Sequence, residues 1–168
     1  MSPGNVELIH VDWRNTVSKQ PYFVAYDKDK NNLVISIRGT MSKYDVLTDV
    51  KGDATRIGEG VAGLAHQGIR DCAAIMLDEL DKLELFDKYA QVDKIVVTGH
   101  SLGAGVAAIL ALMLNVRFSN KVACYAFSPP GGLLCPEAND HADQVITSLF
   151  VGNDIIPRLG KMVYLGLA

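Results

Sequence analysis

The sequence predicts an α/β fold in which helices pack on a mostly parallel central sheet. Two observations lead to this prediction. Short β-branched or apolar segments alternate with longer segments of helical periodicity, and Gly or Pro occurs within two residues of the end of each later strand. A chain of 168 residues, 49% of them hydrophobic, is the size of one domain and can bury a sizeable core. We therefore expect a single domain over residues 1–168.

The first predicted elements are a hairpin and a helix. Residues 22–26 and 33–37 are rich in β-branched and aromatic side chains, and the polar residues between them are typical of a turn. From residue 67 to about residue 85, apolar residues recur every three or four positions among Asp and Lys. This spacing predicts an amphipathic helix with one buried face, which includes Cys72.

Strands and helices alternate in the rest of the chain. Residues 94–98 form a short apolar run that ends at Gly99, and residues 101 to about 115 are rich in Ala and Leu, which predicts a strand followed by a helix. Strands are also predicted at 122–127, before Ser128-Pro-Pro-Gly-Gly132, and at 144–151, before Gly152-Asn-Asp154. The apolar residues 162–168 are a candidate last strand.

Composition excludes several classes of protein. A net charge of −3 without a basic run argues against a nucleic-acid partner. Three cysteines without a C-x-x-C pair argue against a disulfide framework or a cysteine zinc site, so we expect reduced thiols and a cytoplasmic chain. Residues 1–20 lack the apolar core of a signal peptide. The most apolar stretch, 106–116, is shorter than the about 20 residues that cross a bilayer.

The strongest chemical signal is Gly99-His-Ser-Leu-Gly103, which matches G-x-S-x-G between a predicted strand and a predicted helix. In this context the motif is a nucleophile elbow, in which Ser101 occupies a sharp turn and exposes its hydroxyl. Flanking glycines are needed because side chains would collide with the strand and the helix. We predict that Ser101 is a nucleophile and that His100 has a structural role, with its side chain directed against the sheet.

Acyl transfer also needs donors for the oxyanion. One should be the backbone N–H of the residue after the nucleophile, Leu102. The turn after the second hairpin strand could supply the other, since Gly39 permits a tight turn and Thr40 adds a hydroxyl. On local pattern alone, it is equally possible that Arg-Gly-Thr40 only ends the strand.

Several motifs in combination resemble the class 3 (fungal-type) lipases, which have the α/β-hydrolase fold. They include Ser36-Ile-Arg-Gly-Thr40, Asp45 and Asp49, His66-Gln-Gly68 and the elbow extended to Gly105. Ser128-Pro-Pro-Gly-Gly-Leu133 and Val151-Gly-Asn-Asp-Ile-Ile-Pro-Arg158 resemble the sn-1-specific diacylglycerol lipases, which release 2-monoacylglycerol and a fatty acid. The resemblance runs from about residue 5 to residue 160.

The resemblance implies roles for individual residues. Ser101 would be the nucleophile, Asp154 the triad acid, and Thr40 and Leu102 the oxyanion hole. Asp154 also follows a predicted strand and comes after the serine, which is the chain order of this fold, although an isolated Asp there is commonly a turn former. The implied substrate is an acylglycerol at a membrane surface, and the intact relatives are membrane-associated. The chemistry requires no cofactor, and calcium is implied by resemblance only.

The catalytic base is missing from the place where the fold would put it. The histidine should follow the acid, yet none occurs after Asp154. His66 is predicted to open a helix and His141 to lie in a polar loop; either remains an alternative base. The expectation is therefore a C-terminally incomplete lipase domain. The alternatives are an inactive fragment that binds lipid or protein, and an esterase for small soluble esters.

Overall fold

The protein is described by a computed structural model covering residues 4–16, 18–39 and 53–158. Thr40, Asp45, Asp49 and the candidate strand at 162–168 lie outside these residues. The fold has a six-stranded sheet in the order β1-β2-β3-β6-β7-β8 and a separate hairpin, β4-β5. The strands are β1 Val6–Asp12, β2 Tyr22–Asp27, β3 Asn32–Ile37, β4 Ala54–Gly58, β5 Val61–His66, β6 Lys94–His100, β7 Val122–Phe127 and β8 Ile146–Leu149.

Four α-helices and one 3₁₀ turn lie among the described residues. They are α1 Gln67–Lys82, α2 Leu85–Lys88, α3 Leu102–Arg117, α4 Pro136–Ala142 and the 3₁₀ turn Ile156–Arg158. No helix in this part of the chain is both long and apolar enough to cross a bilayer.

The sheet is mixed, with its parallel part at the centre and at one edge. β1, β2 and β3 pair antiparallel, whereas β3, β6, β7 and β8 pair parallel. Parallel strands end at the same edge, so the C-terminal ends of β3, β6 and β7 lie side by side. Ile37 pairs with Gly99, and His100 pairs with Phe127. The predicted α/β-hydrolase fold with a mostly parallel sheet is confirmed.

Helix α3 forms the centre of the core. Every residue from Leu102 to Leu114 is buried, because α3 packs on β6 and β7 with one side and on α1 with another. A helix that is apolar all round requires such enclosure. Helix α1 is amphipathic, as its spacing predicted, and it buries Ile69, Cys72 and Leu80. The core is therefore built on one face of the sheet.

The opposite face of the sheet retains exposed apolar side chains. Ser36 pairs with both Phe23 and Thr98, and Thr98 pairs with Tyr125, so these residues share one face. On this face Phe23, Tyr125, Phe127 and Leu149 are 38–45% exposed. We call these four residues the open face. Tyr125, Phe127 and Leu149 are neighbours on this face, whereas Ser36 and Thr98 separate them from Phe23.

The structure confirms most predicted elements and corrects their bounds. The hairpin, the strand at 122–127 and the two long helices are present, but α1 ends at Lys82 and β8 spans only Ile146–Leu149. Strands β1, β4 and β5 and helices α2 and α4 were not predicted. The polar loop predicted around His141 is wrong: these residues form α4, which begins at Pro136. Proline is favoured in a first helical turn, so Pro136 is a sequence signal for the start of α4.

Candidate active site

Ser101 lies between β6 and α3 in a backbone conformation that is rare for a side-chain-bearing residue. Its φ is 53° and its ψ is −125°. Such a conformation costs on the order of 1–3 kcal/mol and persists only when surrounding contacts enforce it. The Ser101 N–H donates to the carbonyl of Phe127 at 2.9 Å, and the Ser101 carbonyl accepts from Ala104 N–H at 2.9 Å. The turn is thus fixed to the neighbouring strand and to the helix.

The flanking glycines leave no room for a side chain. A Cβ on Gly99 would lie 2.4 Å from the carbonyl oxygen of Gly103. A Cβ on Gly103 would lie 2.5 Å from the carbonyl oxygen of Ile37 on β3. Both contacts are with backbone atoms, which cannot move aside cheaply. The backbone geometry expected of a G-x-S-x-G elbow is therefore present. The expected exposure of the serine is wrong, since Ser101 is buried and only 7% exposed, and its nucleophilic role stays a prediction.

Of the two predicted oxyanion donors, Leu102 is among the described residues and lies next to Ser101. Leu102 is the first residue of α3, where backbone N–H groups have no partner within the helix and the helix dipole favours negative charge. On the other side, a Cβ on Gly39 would lie 3.4 Å from the Cβ of Ser101, so the turn after β3 reaches the elbow. Thr40 follows Gly39 outside the described residues, and its role remains a prediction.

Asp154 lies in the turn after β8 and is partly buried. Its carboxylate accepts a hydrogen bond from the hydroxyl of Ser128 and another from the N–H of Ile156 at 3.1 Å. These bonds, that of the Ser128 hydroxyl foremost, hold the pKa of Asp154 below its usual range, and the nearby side chains of His100 and Arg158 act in the same direction. Asp154 is therefore an ionised, positioned acceptor, as a triad acid must be.

The four histidines occupy distinct places. His66 caps α1, and its Nδ1 accepts from the N–H of Ile69 at 3.4 Å. His10 lies on β1, with its ring centroid 5.7 Å from that of Tyr22, and His141 is exposed on α4. The prediction that His100 packs against the sheet is wrong. His100 is exposed, because strand alternation places it on the same side as the open face.

A notch of about 390 Å³ lies at the ends of β3 and β6, beside the elbow. It is lined by Ser36, Ile37, Arg38, Gly39, Thr98, Gly99, His100 and Phe127. A larger groove of about 620 Å³ lies between the β4-β5 hairpin, α1 and the C-terminal end of α3, with Val116 in its lining. At 1.5 Å per residue, α3 separates that groove from Ser101 by roughly 20 Å. Of these two cavities, the notch is the one that lies near Ser101, although Ser101 is not part of its lining.

Ser128 is a site residue that sequence reasoning did not identify. The segment Ser128-Pro-Pro is predicted to end a strand and is part of a motif of the resemblance, but neither observation assigns a role to the Ser128 side chain. A residue before proline is normally extended, yet Ser128 has a φ of 50°. The sequence contains no direct signal that its hydroxyl reaches Asp154, since the contact depends on β7 and β8 being neighbours.

Comparisons with known proteins agree with this geometry. Residues 34–164 match the family model for lipase (class 3). Diacylglycerol lipase-alpha of Rattus norvegicus is 37% identical over 92% of this chain, and diacylglycerol lipase-beta of Mus musculus is 36% identical over 91%. The chain spans only 16% and 24% of the length of these two relatives.

Solved lipases share the fold at lower identity. A structure of Rhizomucor miehei lipase in a propeptide complex has a TM-score of 0.77 at 23% identity, covering 92% of this chain and 52% of that one. The lipase from Rhizopus microsporus var. chinensis has a TM-score of 0.78 at 18% identity, covering 94% and 57%. The resemblance predicted from the motifs is thereby confirmed, and this chain belongs to the class 3 lipase family.

Proposed function

We propose that these 168 residues form part of a single lipase domain, a serine hydrolase that cleaves acylglycerol esters. The observation that carries the proposal is the strained turn of Ser101 between a buried strand and a buried helix. The expected substrate is the sn-1 ester of diacylglycerol, with 2-monoacylglycerol and a fatty acid as products. The identity to the diacylglycerol lipases supports this choice, and acylglycerols would bring the protein to a membrane surface.

Each step of the proposed reaction is assigned to a protein group. The Ser101 oxygen attacks the ester carbonyl while a histidine accepts its proton, and Leu102 and Thr40 stabilise the oxyanion. The histidinium then protonates the leaving alcohol, and water hydrolyses the acyl-enzyme to the fatty acid. Asp154 orients the histidine throughout. We therefore propose that no metal is required; loss of activity with EDTA and its recovery with calcium would contradict this.

We further propose that the histidine comes from outside these 168 residues. His66 is engaged as a helix cap, His141 lies on α4, and His10 lies on β1. His100 precedes the nucleophile directly, and its side chain emerges on the side of the open face. Relatives several times longer than this chain have ample length to supply the missing group.

Labelling by a fluorescent fluorophosphonate tests these proposals, with Ser101→Ala as the matched control. We expect slow labelling of Ser101 that free imidazole accelerates about 10-fold or more, because the small base can occupy the place of the missing side chain. Fast labelling that is lost in His66→Gln or His141→Gln would instead identify an internal base. If folded protein shows no labelling that depends on Ser101, with or without imidazole, the hydrolase proposal is wrong.

The second candidate is a module that binds lipid without hydrolysing it. The absence of a histidine after Asp154 and the exposed aromatic side chains of the open face favour this candidate. Ser101→Ala should then bind diacylglycerol-containing vesicles as well as the wild type, and neither should release fatty acid. An esterase for small esters would be distinguished by turnover of short-chain p-nitrophenyl esters but not of vesicle lipid.

A further inference from the structure

The end of β7 is connected to both proposed catalytic residues. Phe127, the last residue of β7, accepts a hydrogen bond from the N–H of Ser101 at 2.9 Å. The next residue, Ser128, donates its own N–H to the carbonyl of Leu149 on β8 at 2.7 Å. Two consecutive residues therefore fix the elbow on one side and the last strand before Asp154 on the other.

A second set of bonds fixes the turn that carries Asp154. The Asp154 N–H donates to the carbonyl of Val151 at 3.2 Å, and the N–H of Gly131 donates to the carbonyl of Ile156 at 3.2 Å. The segment after Ser128 is thus bonded directly to the segment after Asp154. This arrangement holds the Ser128 hydroxyl beside the Asp154 carboxylate.

The backbone of Ser128 indicates that its side chain has a specific use. A φ of 50° is unfavourable for a residue with a Cβ, and the following Pro129 disfavours it further. Glycine would adopt this conformation without strain. The contact with Asp154 is an interaction that glycine could not make.

We propose that Ser128 is a positioning residue, whose hydroxyl orients the Asp154 carboxylate for the incoming histidine. This inference rests on the proposed function. The other groups that act on the carboxylate are the N–H of Ile156 and the side chains of His100 and Arg158. The Ser128 hydroxyl has the largest influence on the pKa of Asp154.

Titration of Asp154 by carbon-13 NMR tests the inference without requiring activity. The protein would be labelled at the aspartate carboxyl carbons, and Asp154→Asn would assign the signal. We expect Asp154 to titrate below ordinary aspartates in the wild type. In Ser128→Gly its pKa should rise towards the ordinary value, while the melting temperature should be unchanged or higher because the backbone strain is relieved.

Further variants make the test specific. Ser128→Asn tolerates positive φ and retains a donor, so it should restore part of the shift. Ser148→Ala removes an exposed hydroxyl from the adjacent strand β8 and should leave the titration unchanged. An unchanged Asp154 titration in Ser128→Gly overturns the inference, as does an equal change in Ser148→Ala. If Ser128→Gly fails to fold, Ser128→Ala provides the same comparison.

Reactivity separates failure of the inference from failure of the proposed function. With imidazole present, fluorophosphonate labelling of Ser101 should be about 10-fold slower in Ser128→Gly than in the wild type, as expected for losing one hydrogen bond to a charged group. Equal labelling rates would contradict a positioning role. If Ser101 labels in no variant, the hydrolase proposal fails, and the titration still decides whether Ser128 controls Asp154.

Discussion

The N–H of Ser101 donates to the carbonyl oxygen of Phe127 at 2.9 Å, one residue beyond the point where β6 ends. The bond continues the parallel pairing of β6 and β7 into the turn, so the strained serine is held by the sheet as well as by α3. A nucleophile elbow needs such support, because an unfavourable φ relaxes when the surrounding structure does not enforce it.

The elbow glycines should tolerate no side chain. Gly99→Ala would place a Cβ 2.4 Å from the backbone oxygen of Gly103, and we expect a loss of about 1–3 kcal/mol in the free energy of unfolding. Gly58→Ala is the matched control, since its Cβ would lie 3.7 Å from the side chain of Met113. That variant should change stability by less than about 1 kcal/mol. Urea denaturation measures both, and equal effects would contradict the steric explanation.

Asp12 should make the free energy of unfolding depend on pH under acidic conditions. Its carboxylate accepts hydrogen bonds from Arg14, and these lower its pKa from 3.8 to about 2. The folded state therefore binds the proton more weakly than the unfolded state, so the contribution is complete above about pH 4 and is lost as the pH falls to about 2. Asp12→Asn should lose about 1–2 kcal/mol at pH 7 and less at pH 3.

Denaturation of wild type and Asp12→Asn at both pH values checks this prediction. Arg14 and Lys19 both contact Glu79 on α1, so these ion pairs attach the connection between β1 and β2 to the helix layer. A constant difference between the two proteins from pH 7 to pH 3 would show that the Asp12 carboxylate has no role in acid stability.

The open face should bind apolar dyes. Replacing Tyr125 and Phe127 by threonine should reduce the fluorescence of bound anilinonaphthalene sulfonate and change the free energy of unfolding by no more than about 1 kcal/mol. Cys124→Ser, at the residue before Tyr125 and on the covered face, should instead destabilise the protein by about 1–3 kcal/mol. Unaltered dye binding in the threonine variant would show that the dye binds elsewhere.

The cysteines should be unreactive in the folded protein. All three are buried, and burial raises the pKa of the Cys124 thiol to about 12. Since the thiolate is the reacting species, dithionitrobenzoate at pH 8 should react slowly with native protein and with three thiols after unfolding. Rapid reaction of the native protein would mean that the core around these cysteines opens readily.

Local sequence predicted the elements whose signals are short and strong. The 22–37 hairpin, α1, β7 and the elbow at Ser101 each combine a clear periodicity with Gly, Pro or polar residues at the ends. The elements that were missed have weaker signals. Strand β1 is polar at three of its seven positions, and the polar residues of α4 follow a Pro-rich segment and are predicted as a loop.

The sequence by itself determined that a strained serine follows a buried strand and precedes a buried helix, because the glycines and the apolar runs that require this lie within one short segment. Only the tertiary structure decided what surrounds Ser101. Gly39, the adjacent residues Phe127 and Ser128, and Asp154 come from three distant parts of the chain, and they approach because β3, β6, β7 and β8 are neighbours that end at one edge of the sheet. The packing of helices on one face of the sheet also leaves His100 exposed on the opposite side, which is that of the open face. The physical reason is that strand pairing depends on packing across the whole domain, which no local pattern specifies.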